Sequence, residues 1–174
     1  MDATAQYRQL AQLGRTAFLA SAAPAVLLRH PGAPSTDYDG LAATGTYDEP
    51  VGSRPRLILD DDGDGAGDRG ELEVLPLIKK PGAQFGDRIT VGRTSNNDIV
   101  LAHHTISRLH VYFRLRDGRW WITDAGSKNG TALGDVDLAP RRETQIADGD
   151  QLWIGDVEVM FHTAPSLYAL LGGR

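Results

Sequence analysis

The feature that most constrains the fold is a series of short β-like segments, separated by turn signals, between residues 72 and 164. Residues 110–116 alternate between apolar and polar side chains, Asp117-Gly118 is a hairpin turn signal, and residues 119–124 form the returning strand. Pro76 marks the first segment as an edge strand or a bulge. Many short strands without a long helical pattern predict an all-β sandwich. The other β-like runs are residues 72–78, 88–91, 99–101, 151–154 and 157–161.

Composition narrows the classes of function. The chain has 174 residues, a formal net charge of −5 and no cysteine. This length fits one domain of ordinary size plus appendages. The lack of cysteine excludes disulfides, thiolate metal sites and a cysteine nucleophile, and it fits a cytoplasmic location. The acidic balance argues against nucleic-acid binding, so an anion site must come from local placement of arginines.

The chain divides into four parts by pattern. Residues 1–30 form an N-terminal helical segment, with a helix expected over residues 5–22 and a short strand or extended docking segment over residues 25–28. Its apolar run is too short for a membrane span, and its acidic, polar start argues against a signal peptide. Residues 31–71 form a flexible acidic linker, and residues 72–164 form the sandwich. Residues 165–174 form a tail with one helical turn.

The linker contains an acidic stretch that resembles a calcium loop in part. Asp60, Asp62, Asp64, Gly65 and Glu71 fall on positions of the EF-hand loop that supply oxygen ligands or the sharp turn. The flanking segments are β-like rather than helical, and a glycine stands where an apolar residue is expected. A solvated acidic turn is therefore favoured over a calcium site, and no metal or cofactor is expected.

Three polar, turn-rich segments lie between the β-like runs. If the runs fold into one sandwich, these segments meet at one end and gather Arg93, Ser107, Arg108 and Asn129. This is a set of hydrogen-bond donors without a paired carboxylate, which suits an anion such as a phosphate ester. A metal site at His103, His104 and His110 is disfavoured, because no acid or thiol completes a ligand set.

These segments carry a family resemblance. Their order and spacing resemble the forkhead-associated (FHA) domain over residues 72–162. The resemblance implies an eleven-stranded β-sandwich that binds phosphothreonine peptides through loops at one end. It rests on Gly92-Arg93, Asn97-Asp98-Ile99-Val100-Leu101, Ser107-Arg108-Leu109-His110, Trp121-Ile122-Thr123-Asp124, Ser127-Lys128-Asn129-Gly130-Thr131, Gly149-Asp150 and Ile154-Gly155.

The resemblance also implies roles for single residues. Arg93 and the Ser107 hydroxyl would contact the phosphate, with Arg108 as a second contact. Asn129 would hold the peptide backbone, because its amide both donates and accepts. Thr105 and Lys128 would influence which residue follows the phosphothreonine. Gly92, His110 and Gly130 would be structural.

The function expected is that of a phosphothreonine-binding adaptor or regulator in bacterial Ser/Thr kinase signalling. The partner would be a phosphothreonine-containing protein, such as a kinase or its substrate, with no nucleic acid or membrane involved. The alternative is a scaffold that binds independently of phosphorylation. An enzyme is not expected, because the sequence has no phosphate-binding Gly-rich loop with lysine and no nucleophile–base–acid set.

The linker itself offers a candidate ligand. Some bacterial FHA regulators resemble this layout, with a phosphorylated N-terminal threonine that folds back onto the domain. Thr36 and Thr46 each precede an acid by three residues, at Asp39 and Glu49. The alternative is coincidence in a segment rich in threonine and acid. Self-binding would block external partners by effective concentration.

Overall fold

The computed structural model describes residues 2–30, 72–83 and 85–172. Within these ranges the chain forms two β-sheets and a small layer of helices. The six-stranded sheet has the order β2-β1-β11-β10-β7-β8, and the five-stranded sheet has the order β4-β3-β5-β6-β9. The strands are β1 (Ala25–Arg29), β2 (Glu73–Pro76), β3 (Ile89–Gly92), β4 (Ile99–Val100), β5 (Val111–Arg116), β6 (Arg119–Asp124), β7 (Thr131–Leu133), β8 (Val136–Asp137), β9 (Thr144–Ile146), β10 (Gln151–Ile154) and β11 (Val157–Thr163).

The two sheets share one apolar core, as alternation along their strands requires. In β5, Val111 and Phe113 are fully buried, whereas Tyr112 and Arg114 lie on the outer face. Trp120 from one sheet meets Phe161 from the other edge to face, with ring centroids 5.8 Å apart. The prediction of an eleven-stranded all-β sandwich is confirmed for the described part of the chain.

The strand β1 joins the N-terminal segment to the sandwich, at the place where a short strand was one of the two predicted alternatives. It lies inside the six-stranded sheet, antiparallel to both neighbours, with Leu27 opposite Leu75 on one side and Phe161 on the other. Its first four residues are buried because they are apolar on both faces. Leu27 enters the core between the sheets, and Val26 enters a second core under the helices. The six-stranded sheet therefore includes a strand from residues 1–30.

The predicted N-terminal helix is divided into two. Helix α1 (Ala3–Gln12) and helix α2 (Arg15–Ser21) are separated at Gly14, whose φ of 97° lies in the region that glycine alone adopts easily. The break lets α2 fold back on α1, so that Phe18 packs edge to face against Tyr7. The sequence predicted one helix because the helical periodicity continues through Gly14 and glycine within a helix is only weakly unfavourable.

A third helix completes this layer. Helix α3 (Ala164–Leu170) is longer than the single turn predicted for the tail, and its Leu167 is fully buried. It packs with α1 and α2 over the outer face of the six-stranded sheet, in a core that includes Tyr168 and Val74. None of the helices in the described ranges is long and apolar enough to cross a bilayer.

The remaining predictions concern an edge strand, three very short strands and the linker. Strand β2 lies at the edge of its sheet, as Pro76 predicted. Strands β7, β8 and β9 were not predicted, because segments of two or three residues carry no readable alternation. Thr36, Thr46 and the acidic stretch from Asp60 to Glu71 lie outside the described residues.

Candidate functional site

A groove of about 1160 Å³ opens at the end of the sandwich where three loops meet. The loops follow β3, β4 and β6, and they correspond to the three polar segments of the sequence. Among the described residues that line the groove there is no aspartate or glutamate. All six residues predicted to contact a phosphopeptide lie in its lining, namely Arg93, Thr105, Ser107, Arg108, Lys128 and Asn129.

The first loop is fixed by a close backbone approach at Gly92. A β-carbon at Gly92 would lie 2.1 Å from the Arg108 carbonyl oxygen and 2.6 Å from Asn97 Nδ2. Only glycine fits in this space. The Asn97 amide, which is buried, donates to the carbonyls of Arg108 at 2.6 Å and Thr94 at 2.9 Å. Asn97 therefore ties the first loop to the second, a role that its place in the sequence motif did not reveal.

A buried carboxylate holds the other side of the same loop. Asp98 accepts hydrogen bonds from the Thr90 backbone N–H at 2.8 Å and from Lys79 Nζ at 2.9 Å. It also accepts from the Lys80 backbone N–H at 2.8 Å. Burial disfavours the charged carboxylate, but these donors outweigh it and hold the pKa of Asp98 below its ordinary value. Both oxygens of this carboxylate accept hydrogen bonds, and Asp98 is not among the residues that line the groove.

Ser107 joins all three loops through its own atoms. Its carbonyl accepts from the Arg93 backbone N–H at 3.0 Å, and its N–H donates to His110 Nδ1 at 3.0 Å. Its hydroxyl oxygen accepts from the Lys128 backbone N–H at 3.0 Å. The hydroxyl can still donate one hydrogen bond, and a phosphate oxygen beside Ser107 can accept it.

His110 lies fully buried beneath the groove. Because Nδ1 accepts from Ser107, the ring proton sits on Nε2, which lies 2.9 Å from the Gly130 carbonyl oxygen and donates to it. Burial lowers the pKa of His110, against the opposing effects of the Gly130 carbonyl and Asp124. Neutral His110 therefore braces the second loop against the third.

Asp124 shapes the third loop from within. One carboxylate oxygen accepts from the backbone N–H groups of Gly126 and Ser127, each at 2.8 Å. The other accepts from the hydroxyls of Ser127 and Thr131, each at 2.6 Å. Burial raises the pKa of Asp124, but these hydrogen bonds outweigh it and lower the pKa overall. The sequence offered a signal for this turn, because an aspartate followed by Gly and Ser is typical of an Asx turn.

Gly130 ends this loop with a φ of 78°, in the region where a β-carbon is strained. Its N–H donates to the Ser127 hydroxyl oxygen at 3.0 Å. Its carbonyl receives both His110 Nε2 and the Gly155 backbone N–H, the latter at 3.0 Å. The structure thus places Gly130, like Gly92 and His110, in the framework rather than at the open surface.

Thr105 is a buried member of the groove lining whose polar atoms have partners within the chain. It is buried, and its hydroxyl oxygen accepts from the Asp156 backbone N–H at 3.0 Å and lies 2.8 Å from His103 Nδ1. Its carbonyl accepts from Asn129 Nδ2 at 2.8 Å. The Thr105 hydroxyl is thus engaged on both sides, and its carbonyl holds the side chain of Asn129. Asn129 is exposed and keeps its side-chain oxygen for a further donor.

The cationic side chains of the groove are open. Arg93, Arg108 and Lys128 are all exposed, and no described residue gives any of them an acidic partner. Their backbones, by contrast, are held by the bonds described above. The groove thus presents fixed positions with free positive charges, which is the arrangement that binds an anion with little reorganisation.

The neutral state of His110 makes a pH dependence of stability testable. Because the pKa of His110 in the folded chain lies below its ordinary value of about 6.5, the unfolded chain binds more protons as the pH falls through that value. We expect the contribution of His110 to the free energy of unfolding to be fully present above about pH 7. The free energy of unfolding should then decrease as the pH is lowered to about 5.5. Asp98 and Asp124 have lowered pKa values and stay ionised over this range.

Urea denaturation at a series of pH values measures this effect. Burial also lowers the pKa of His162, with the same sign, so the series is repeated in a His162→Gln variant. The decrease that remains in this variant is expected to come from His110. Stability that stays constant or rises on acidification of the variant would contradict the assignment.

Comparison with known proteins decides the family. Residues 89–155 match the family model described as FHA domain. The chain is 32% identical, over 102 residues, to the oxoglutarate dehydrogenase inhibitor of Corynebacterium jeikeium, and the match covers 52% of this chain and 69% of that relative. This chain belongs to the FHA-domain family. The three loops and their groove are therefore those of an FHA domain.

The chain is also similar to proteins with other names. The FHA domain is 35% identical over 106 residues to the glycogen accumulation regulator GarA of Mycolicibacterium smegmatis, which covers 54% of this chain. The chain spans 65% of that relative's length, which is less than two thirds. Among solved structures, Mycobacterium tuberculosis EmbR in complex with a low-affinity phosphopeptide is 30% identical, with a TM-score of 0.41, covering 44% of this chain and 20% of that one.

Proposed function

We propose that this chain binds phosphothreonine peptides in the groove and acts as an adaptor or regulator in Ser/Thr kinase signalling in the cytoplasm. The observation that carries the proposal is the groove lining, in which three exposed cations and two hydrogen-bonding side chains meet without a carboxylate among the described residues. Relatives named as a regulator and as an inhibitor support a regulatory role rather than a metabolic one.

Each side chain has a separate task in the proposal. Arg93 and Arg108 offer guanidinium N–H groups to the phosphate oxygens, and the Ser107 hydroxyl donates a further hydrogen bond. Asn129, already anchored through Nδ2 to the Thr105 carbonyl, accepts a backbone N–H of the peptide with its side-chain oxygen. Lys128 stands beside Asn129 and favours an acidic residue near the phosphothreonine.

The energetics favour a phosphorylation-dependent switch. A phosphothreonine adds a charge of about −1.5 to −2 and three acceptor oxygens. Each hydrogen bond to a charged group contributes about 1.5–3 kcal/mol. Losing two of them with the phosphate therefore lowers affinity by about 100-fold or more.

Binding rather than catalysis is also supported by the geometry of a Ser–His–Asp set at the start of α3. His162 Nδ1 lies 3.0 Å from the Ser166 hydroxyl oxygen and 3.8 Å from an Asp148 carboxylate oxygen. Both neighbours face the same ring nitrogen, whereas proton transfer from a serine needs the two on opposite nitrogens. This cluster instead fastens the start of α3 to the end of β11.

Fluorescence anisotropy with the full chain tests the proposal. A labelled phosphothreonine peptide is expected to bind about 100-fold or more tightly than its unmodified counterpart. A phosphoserine version of the same peptide is a control for charge alone. Equal affinity for the phosphorylated and unmodified peptides would contradict the proposal and would favour a scaffold that binds independently of phosphorylation.

A further inference from the structure

Arg141 places a cation next to Gly126, a residue of the groove lining, from a fourth loop outside the sequence motifs. It lies between β8 and β9, and β9 pairs with β6 so that Thr144 is opposite Ile122. This register places the loop at the groove end of the five-stranded sheet. The Arg141 backbone N–H donates to the Asp124 carbonyl at 2.8 Å, which ties the loop to the start of the groove-lining segment.

The guanidinium of Arg141 lies beside Gly126 of the third loop, although Arg141 is not itself among the residues that line the groove. A β-carbon built on Gly126, a residue of the groove lining, would be 3.4 Å from Arg141 Nε and 3.5 Å from Arg141 Nη2. Gly126 has a φ of 87° and no side chain to cover the guanidinium. The charged end of Arg141 therefore packs on the backbone of the third loop, near Lys128 and Asn129.

The backbone of Arg141 is held in an unusual conformation. Its φ of 62° lies in the left-handed region, which side chains other than glycine rarely adopt. The hydrogen bond to Asp124 keeps it there. Strain of this kind occurs where the surrounding structure determines the direction of a functional side chain. The strained backbone here accompanies a guanidinium that lies beside Gly126.

The charge of Arg141 is available. Its side chain is exposed and has neither an ion pair nor a hydrogen-bond partner among the described residues. Arg114, on the outer face of the sheet, shows the contrast, because it is paired with both Asp87 and Glu143. Arg141 is an exposed cation beside a groove whose described lining has no acidic residue. Its charge can therefore pair with an anionic group of a ligand.

We infer that Arg141 binds a second anionic group of the phosphopeptide, either an aspartate or glutamate carboxylate or a second phosphate, on the side of the groove formed by Gly126 and Lys128. The inference rests on the proposed function. It makes Arg141 a residue that determines which phosphopeptides are preferred, separate from the contacts that recognise the phosphothreonine itself. A bidentate guanidinium contact suits both carboxylate and phosphate.

The test uses the full chain and a panel of peptides. A reference phosphothreonine peptide with otherwise neutral residues is compared with versions that carry one aspartate, or one additional phosphothreonine, at each neighbouring position. In the wild type we expect one or two positions where aspartate raises affinity about 3- to 10-fold, and where phosphate raises it at least as much. A gain from phosphate alone would identify the second anion as phosphate.

The variants then separate the possible causes. Arg141→Ala is expected to remove this gain and to change affinity for the reference peptide by less than about twofold. Arg119→Ala, at the opposite end of β6, changes net charge equally and is expected to keep the gain. Equal weakening of all peptides by Arg141→Ala, or gains that only Lys128→Ala removes, would overturn the inference. Absence of wild-type binding to every phosphopeptide would overturn the proposed function as well.

Discussion

Replacing Arg93 by alanine is expected to lower affinity for a phosphothreonine peptide by about 100-fold or more and to leave the fold unchanged. The loss follows because two or more charged hydrogen bonds disappear, each contributing about 1.5–3 kcal/mol. The fold is spared because the exposed side chain of Arg93 has no described partner, while its backbone N–H keeps its 3.0 Å hydrogen bond to the Ser107 carbonyl.

Anisotropy titration measures this affinity, and urea denaturation measures the stability of the same samples. Arg93→Lys is the informative intermediate, since lysine keeps the charge and loses the planar pair of donors. It is expected to bind more tightly than Arg93→Ala and more weakly than the wild type. Unchanged affinity in Arg93→Ala would remove Arg93 from the phosphate site.

The Gly92→Ala variant is expected to have the second large effect, this time on both stability and binding. The new β-carbon would lie 2.1 Å from the Arg108 carbonyl oxygen. Because this oxygen belongs to the backbone, a change of side-chain rotamer cannot relieve the clash. The loop has to move, and the buried Asn97–Arg108 hydrogen bond of 2.6 Å is lost. We expect a decrease of about 2–3 kcal/mol in the free energy of unfolding.

A matched control is available in Gly86. A β-carbon there has no neighbour within 4 Å, so Gly86→Ala adds the same methyl group without a clash. Its free energy of unfolding is expected to stay within about 0.5 kcal/mol of the wild type. The prediction for Gly92 would be wrong if both variants unfolded at the same urea concentration and bound phosphopeptide equally.

Much of the fold was readable from local pattern. The hairpin of β5 and β6 was predicted because its alternation and its Asp117-Gly118 turn are both local signals. Strand β1 was not placed, since an apolar run such as Ala25–Leu28 shows burial without showing its neighbours. Its partners, around Leu75 and Phe161, are distant in sequence. The pattern of apolar and polar residues within a strand does not show which distant strand it pairs with.

The sequence predicted which residues come together at the site, but it did not predict all of the contacts that they make. Spacing of the motifs was enough to gather Arg93, Ser107 and Asn129 at one end. Spacing does not tell whether a hydroxyl is exposed, so the engagement of Thr105 with Asp156 and His103 was not foreseen. Arg141 was missed because it lies outside the motifs and comes beside Gly126 only through the register of β9.

The inner position of β1 has a consequence for biosynthesis. Because β1 needs β11 on one side, the six-stranded sheet stays incomplete until the residues of β11 have been synthesised. During translation, Val26 and Leu28 remain without the helix α3 that later helps to cover them. Loop-closure entropy further delays such distant pairing. Even after β2 is available to pair, the nascent chain thus exposes one open edge of an apolar strand until β11 follows, and such edges are prone to aggregation.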